Sequence, residues 1–334
     1  LNKPYIKAID ALRTISIAAV LLIHTTTRTI ETTHNDLGNF PWTLFLNQIA
    51  RFAVPLFILI SGFVLELNFS YHASYLAYFK KRVSRILVPY IFWSLIYYYF
   101  IYTQNHDNLS WVFLTGNASY QLYFIPTLAI FYFTFPLFHK FYKLISNKFV
   151  FIGLGTLQIW LLYQDYFVKE YNFADPIRIT LLSFFFFIAG VLAARNKDNI
   201  IEFVKKWKYL LVAGTMSLGV YVFREGEIYS PWRPSILFYT LAVFSILFYA
   251  FDKSRLQFKM VERLSKLSYL VFFIHVIILE EIWKYFGHNL FNLFEGNALG
   301  KIAFDPIFFV LVAATSFGIA YLVHKIPNLA KITG

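Results

Sequence analysis

The sequence predicts an all-α, polytopic transmembrane helical bundle of about ten spans with both termini cytoplasmic, and three observations carry that expectation. Of 334 residues, 58% are hydrophobic and only 14% are charged, where soluble domains hold about 25% charged residues. The apolar residues come in runs of about twenty, the length that crosses a bilayer core about 30 Å thick. The lysines and arginines crowd alternate intervals between those runs, as an orientation signal does.

The expected spans are 9–29, 44–67, 84–103, 120–138, 149–167, 176–194, 209–223, 235–251, 268–286 and 303–324. The first follows Lys3 and Lys7. Trp42 precedes the second, and Lys80, Lys81, Arg82 and Arg85 stand at the entry to the third, which ends at Asn105-His106-Asp107-Asn108. The fourth lies between Trp111 and Lys140, and the fifth begins after Lys148. The sixth ends at Arg195; the seventh runs from Lys208 to Glu225-Gly226-Glu227. Trp232 and Lys253 flank the eighth, Lys266 precedes the ninth, and Lys301 and Lys325 bracket the tenth. Tryptophans near span ends suit the membrane interface.

On this reading 22 lysines and arginines face one side and five the other, namely Arg28, Lys169, Arg224, Arg233 and Lys301; Arg51, Arg178 and Lys284 fall inside spans. The basic side is the cytoplasm. The net charge of +12 is thus an orientation signal that meets membrane lipid, and no nucleic-acid partner is expected. The chain has no cysteine, which excludes disulfides, thiolate nucleophiles and cysteine metal sites. No signal-peptide cleavage pattern precedes the first span, so that span is expected to remain. The sequence opens on Leu1, so an initiator methionine or short leader is expected to be missing. A single integral-membrane domain, 1–334, with no soluble appendage is expected to account for the whole. No Gly-rich phosphate loop, metalloprotease helix or nucleophile elbow is present, and no metal is expected.

Chemistry is expected where ionisable residues enter apolar spans. Arg13 and His24 are eleven residues apart, which returns a helix to within about 20° of one face and about 16 Å higher. Arg13 at the cytoplasmic rim then sets His24 near the bilayer midplane. That pair suits a ligand with an anionic head and a reactive tail. Arg82 and Arg85, three apart and on the same side of the membrane, make a guanidinium cluster with Arg13; it is either a phosphate clamp or an anchor for lipid headgroups. His24 can act as a general base or accept an acyl group itself. Glu31, seven residues on, either orients the imidazole or lies solvated beyond a helix that Thr25-Thr26-Thr27 already ends. Asp10 precedes Arg13 by three and can pair with it, as a fixed partner or as a plain surface ion pair.

Arg51 enters the second span from the outer side and needs a partner or water. Gly62, in Ser61-Gly62, favours close helix packing. In the ninth span His275 either lines the passage below His24 or is a hydrogen-bonded structural residue. Glu280 and Lys284 form an i, i+4 pair that can neutralise itself.

Taken together the chain resembles the acyltransferase-3 family of integral membrane acyltransferases over essentially its full length. The resemblance rests on Ile9-Asp10-Ala11-Leu12-Arg13 with His24, on Phe57-Ile58-Leu59-Ile60-Ser61-Gly62-Phe63, on Arg82-Val83-Ser84-Arg85 before a proline-containing span, on Tyr123-Phe124-Ile125-Pro126, and on Leu267-Ser268-Tyr269 through Ile274-His275. Thr14 departs from a frequent glycine, and Tyr123 from a frequent tryptophan. The resemblance implies transfer of an acyl group, usually acetyl from acetyl-CoA, to a hydroxyl of an extracytoplasmic glycan or lipid-linked sugar. It implies acyl-CoA binding by Arg13, Arg82, Arg85, Ser61 and His275, with His24, Arg13 and Glu31 at the reaction and Arg51 and Tyr123 meeting the acceptor. Many relatives carry an extra hydrolase-like domain, and this chain is expected to complete any transfer within the membrane domain. The scheme requires one continuous polar track from the guanidinium gate to the imidazole. The alternative is a polysaccharide exporter or small-solute transporter, which ten spans with intramembrane charges also suit; no convincing inverted repeat supports it.

Overall fold

A computed structural model describes residues 6–33, 41–69, 75–102, 108–168, 175–226, 232–254, 259–326, 329 and 332–333; the side chains of 75–77, 81–83 and 175 lie outside that description. Among the described residues all regular structure is helical. In chain order the helices are α1 (Lys7–Thr32), α2 (Pro41–Ile49), α3 (Ala53–Asn68), α4 (Tyr75–Ile96), α5 (Leu109–Thr115), α6 (Phe124–Lys140), α7 (Tyr142–Ile145), α8 (Lys148–Tyr163), α9 (Asp175–Leu181), α10 (Phe184–Arg195), α11 (Lys197–Glu225), α12 (Pro234–Lys253), α13 (Lys259–Ile282), α14 (His288–Phe294) and α15 (Ala298–His324). Among the described residues five stretches are long and apolar enough to cross a bilayer: Lys7–Thr32, Pro41–Asn68, Tyr78–Ile101, Pro234–Lys253 and Ala298–His324.

α1 is the hub, packed against α2, α3, α12, α13 and α15. Leu12, Ile17, Leu21 and Ile30 are fully buried on it. In lipid such contacts are held by close packing, because acyl chains are as apolar as the helices themselves. The outer surface agrees: Phe100, Phe149, Tyr209 and Leu299 are exposed, a liability in water and the expected dress against lipid. α3 and α10 approach each other backbone to backbone. A Cβ built on Gly62 would overlap the carbonyl of Phe187, and one on Gly190 the carbonyl of Leu59. Small residues at that crossing let two backbones touch, the packing role expected of Gly62.

Several expected spans change shape, each for a local reason. The expected 44–67 helix breaks at 50–52 into α2 and α3. Pro55 cannot donate to Arg51, so the chain turns there and α3 restarts with the proline in its first turn. The expected 84–103 helix begins nine residues earlier, which puts Lys80 on α4 together with Arg85, and it ends in a π-helical turn, Tyr97–Ile101. The expected 120–138 helix starts at Phe124, because 116–123 is a turn. Gly116 makes that turn possible: its φ is 81°, and a side chain there would meet the backbone of Tyr123. The expected 176–194 helix splits into α9 and α10, and α11 runs well beyond 209–223, with non-helical backbone at Trp207.

Candidate functional site

Two cavities lie along the α1 face that carries Arg13 and His24. The first, about 370 Å³, is lined by His24, Thr27, Arg28 and Glu31 of α1, by Arg51, by Tyr120, Gln121 and Tyr123 of the turn before α6, and by Glu280 of α13. The second, about 340 Å³, is lined by Arg13, by Ser61 of α3, by Arg85 of α4, and by Ser265, Lys266, Ser268 and Tyr269 of α13. The sequence-derived residues therefore sort into two groups. His24, Glu31, Arg51 and Tyr123 share one space; Arg13, Ser61 and Arg85 share the other. Arg82 lies outside the described side chains.

The expected continuous polar track is not what the structure contains. Phe57, Phe124 and Phe272 line both cavities, with ring centroids 6.1 Å apart between Phe57 and Phe124 and 5.6 Å between Phe124 and Phe272. An aromatic partition thus stands between the guanidinium end and the imidazole end. The same side chains face both spaces, so the partition is one layer of rings thick. Helical spacing aligned Arg13 with His24 but is blind to rings arriving from α3, α6 and α13.

His24 is partly exposed to its cavity and flanked by two rings: Tyr120, with centroids 5.0 Å apart, and His275, 5.2 Å away. His275 is fully buried and its Nδ1 lies 3.1 Å from the carbonyl oxygen of Val271. It lines neither cavity and stands behind His24. Glu31 does not orient the imidazole. It pairs with Arg28 at 3.7 Å, and Arg28 pairs with Glu280 at 3.3 Å. Thr25-Thr26-Thr27 does not end the helix either, which continues to Thr32. The hydroxyls of Thr25 and Thr26 donate to the carbonyls of Leu21 and Leu22, at 3.0 and 2.6 Å, and so satisfy themselves inside the bundle.

Arg51 is buried at the α2–α3 break and donates from Nε and NH2 to Asn47 Oδ1, at 3.0 and 2.6 Å. Asn47 in turn donates to the Ile23 carbonyl and to Thr26 Oγ1, at 3.1 and 2.9 Å. This relay ties a buried cation to the turn of α1 that carries His24. A second buried guanidinium, Arg233, reaches the neighbouring Gln48 Oε1 at 2.8 Å and the Val222 carbonyl at 2.8 Å. Deeper still, Asp305 accepts from Thr29 at 2.7 Å and from Thr43 at 2.5 Å, pinning α1, α2 and α15 together.

At the other end, Asp10 sits 3.9 Å from Arg13 and accepts from Ser265 at 2.7 Å. The carboxylate therefore joins α1 to α13 beside the Arg13 guanidinium, more than a plain surface pair would do. Ser61 turns its hydroxyl to its own helix, donating to Phe57 O at 2.8 Å. Lys266 donates to Glu262 at 2.7 Å and holds that carboxyl below its ordinary range. Arg13, Arg85 and Lys266 around one cavity form a cationic pocket that suits phosphate.

A family model described as an acyltransferase domain, acyltransferase-3, matches residues 6–325. The chain belongs to the acyltransferase-3 family. Membership supports acyl transfer as the activity and, with the apolar helices, a membrane protein. The chain is also similar to proteins named "Probable poly-beta-1,6-N-acetyl-D-glucosamine export protein". The one from Staphylococcus aureus strain N315 is 25% identical over 317 residues, 89% of this chain and 87% of the relative. The one from Staphylococcus epidermidis is 22% identical over 335 residues, covering 94% and 90%. No solved structure matches the chain.

Within this acyltransferase-3 chain, sequence reasoning passed over Arg28, Tyr120, Gln121 and Ser265. Arg28 stands four residues after His24, one turn up the same face, and that spacing was the available signal. Glu280 was paired with Lys284 instead of Arg28. The π-helical turn Trp283–Gly287 breaks the i, i+4 register that pairing assumed. Tyr120 had no signal, since it reaches His24 only because the turn at Gly116 folds back. Among the described residues no group of three or more His, Asp or Glu side chains is placed to hold a metal ion.

Proposed function

We propose that this chain is a multi-pass membrane acyltransferase of about ten spans, both termini cytoplasmic, that moves an acyl group from cytoplasmic acyl-CoA to a hydroxyl of an extracytoplasmic glycan or lipid-linked sugar. Acetyl is the proposed acyl group. The observation that carries the reading is the pairing of a cationic cavity at the Arg13 end of α1 with an imidazole-bearing cavity at its far end. A donor made in the cytoplasm and an acceptor outside need that arrangement, since neither crosses alone.

Arg13, Arg85 and Lys266 would hold the CoA phosphates, with Arg82 on the same helix as Arg85. The acyl-bearing arm would pass between Phe57, Phe124 and Phe272 to His24, which requires those rings to part. At His24 the acceptor O–H bond breaks and its proton moves to the imidazole while the oxygen attacks the thioester carbon. The C–S bond then breaks with its electron pair on sulfur, and the imidazolium returns the proton to the thiolate. Tyr120, Arg51, Tyr123 and the Arg28–Glu280 pair would contact the acceptor. The name of the staphylococcal relatives favours an N-acetylglucosamine polymer as that acceptor.

The test is acyl-CoA turnover by purified protein in liposomes, with a glucosamine-based oligosaccharide on the outer side. Acyl transfer to sugar is the expected result. Flux of the oligosaccharide without thioester cleavage would instead establish the export reading that the relatives' name also favours. Neutralising either Arg13 or Arg85 to glutamine, one at a time, is expected to raise KM for acyl-CoA about 10- to 100-fold at low salt, with kcat changed far less, because a charge-assisted contact is worth about 1.5–3 kcal/mol. A parallel rise for acyl-pantetheine, which lacks the nucleotide phosphates, would count against the clamp. Phe124→Ala should widen the partition and raise acceptor-independent thioester hydrolysis. If Phe124→Ala and Phe124→Trp both leave turnover unchanged, the donor does not pass there.

A further inference from the structure

We infer that His275 is a positioning residue that serves His24 by accepting a hydrogen bond from its imidazolium, an inference that rests on the acyl-transfer reading above. The imidazole of His275 is fully buried on α13, and its Nε2 has no hydrogen-bond partner among the described residues. An unpaired polar atom held in an apolar interior is a standing penalty. A leucine or phenylalanine would fill the same space without it.

The chemistry of the other nitrogen defines the tautomer. Nδ1 sits 3.1 Å from the carbonyl oxygen of Val271, one turn back on the same helix. A carbonyl only accepts, so Nδ1 carries the proton and Nε2 keeps a lone pair. That lone pair lies on the side of the ring turned away from its own helix, and the His24 ring is the neighbouring imidazole, 5.2 Å between centroids at 37°. Two imidazoles joined edge to edge by an N–H···N bond have centroids about 5 Å apart, so a small rotation of His24 closes the bond. To take the acceptor's proton on one nitrogen, His24 must carry its own N–H on the other, the one toward His275. The bond to the orphan nitrogen strengthens when His24 becomes an imidazolium, a difference that favours the charge developing during transfer. No proton passes to His275; the proton on His24 goes on to the departing thiolate.

The test compares kcat and KM for acyl-CoA in wild type, His275→Gln and His275→Leu, each checked for folding by thermal unfolding in detergent. For His275→Leu the expected result is about a 10- to 100-fold loss of kcat, the worth of one hydrogen bond to a charged group, with KM for acyl-CoA within about twofold. His275→Gln, whose amide oxygen can accept, should recover most of that loss. Arg28 on α1, Arg51, Tyr120 and Tyr123 beside His24, Tyr97 bonded to the Phe273 carbonyl and Glu280 are common to all three proteins, so the difference between them isolates position 275.

Equal losses of kcat in the two folded variants would show a packing role and overturn the inference. So would a folded His275→Leu with unchanged kcat. Rates are taken per folded molecule, with the folded fraction read from the elution profile in detergent; should His275→Leu not fold at all, His275→Phe replaces it. Absence of acyl transfer in wild type would be a failure of the acyl-transfer reading, distinct from either outcome.

Discussion

His24→Ala is expected to lower acyl transfer by about 10²–10⁴-fold, the range that a positioned acid–base group contributes, and by more if the imidazole also carries the acyl group. The fold should survive, because His24 is only partly buried and faces a cavity on one side. The measurement is acyl-CoA turnover and sugar acylation by variant protein that elutes as the wild type does in detergent. His24→Gln distinguishes further, since it fills the space without supplying a base. A folded His24→Ala with full activity would remove the mechanism altogether. Trapping of labelled acyl groups on wild type but not on the variant would identify a covalent intermediate in place of general-base action.

Gly190→Leu is expected to have the largest effect on stability. Even the Cβ of alanine would overlap the carbonyl of Leu59, and a backbone atom cannot swing aside as a side chain does. Insertions into well-packed contacts typically cost about 1–3 kcal/mol, and here α3 and α10 would have to separate along their length, so several kcal/mol is expected for leucine. The reciprocal Gly62→Leu meets the Phe187 carbonyl and should behave alike. Gly153→Leu and Gly214→Leu, where nothing lies within 4 Å of an added Cβ, are the matched controls. Loss of monodisperse protein in the first pair but not the second is the result to expect; equal tolerance at all four would mean that the α3–α10 contact is looser than described. Because α3 also supplies Phe57 and Ser61 to the two cavities, even Gly62→Ala, whose Cβ meets the Phe187 carbonyl, should disturb transfer as well as stability.

Much of the site was legible because α1 is one unbroken helix. Arg13, His24 and Glu31 could be set on one face by counting residues, and the count stayed valid since Thr25 and Thr26 bonded back to their own helix. Counting failed wherever the helix was not ideal. Pro55 divided α2 from α3 and left Arg51 at the break, tied to Asn47. The π-helical turn after Ile282 freed Glu280 from Lys284. The fold at Gly116 carried Tyr120 to the imidazole from a stretch that had read as helix.

By itself, the sequence determined the helical class, from its composition, made the family legible in its motifs, and set the ionisable residues at each end of α1, by counting within a single segment. Only the tertiary structure decided that Phe57, Phe124 and Phe272 close the space between them, that Arg28 faces Glu280, and that His275 stands behind His24. Those relations join helices that are distant in sequence, and the angle and depth at which helices cross are settled by how side chains interlock, which no count along one chain contains.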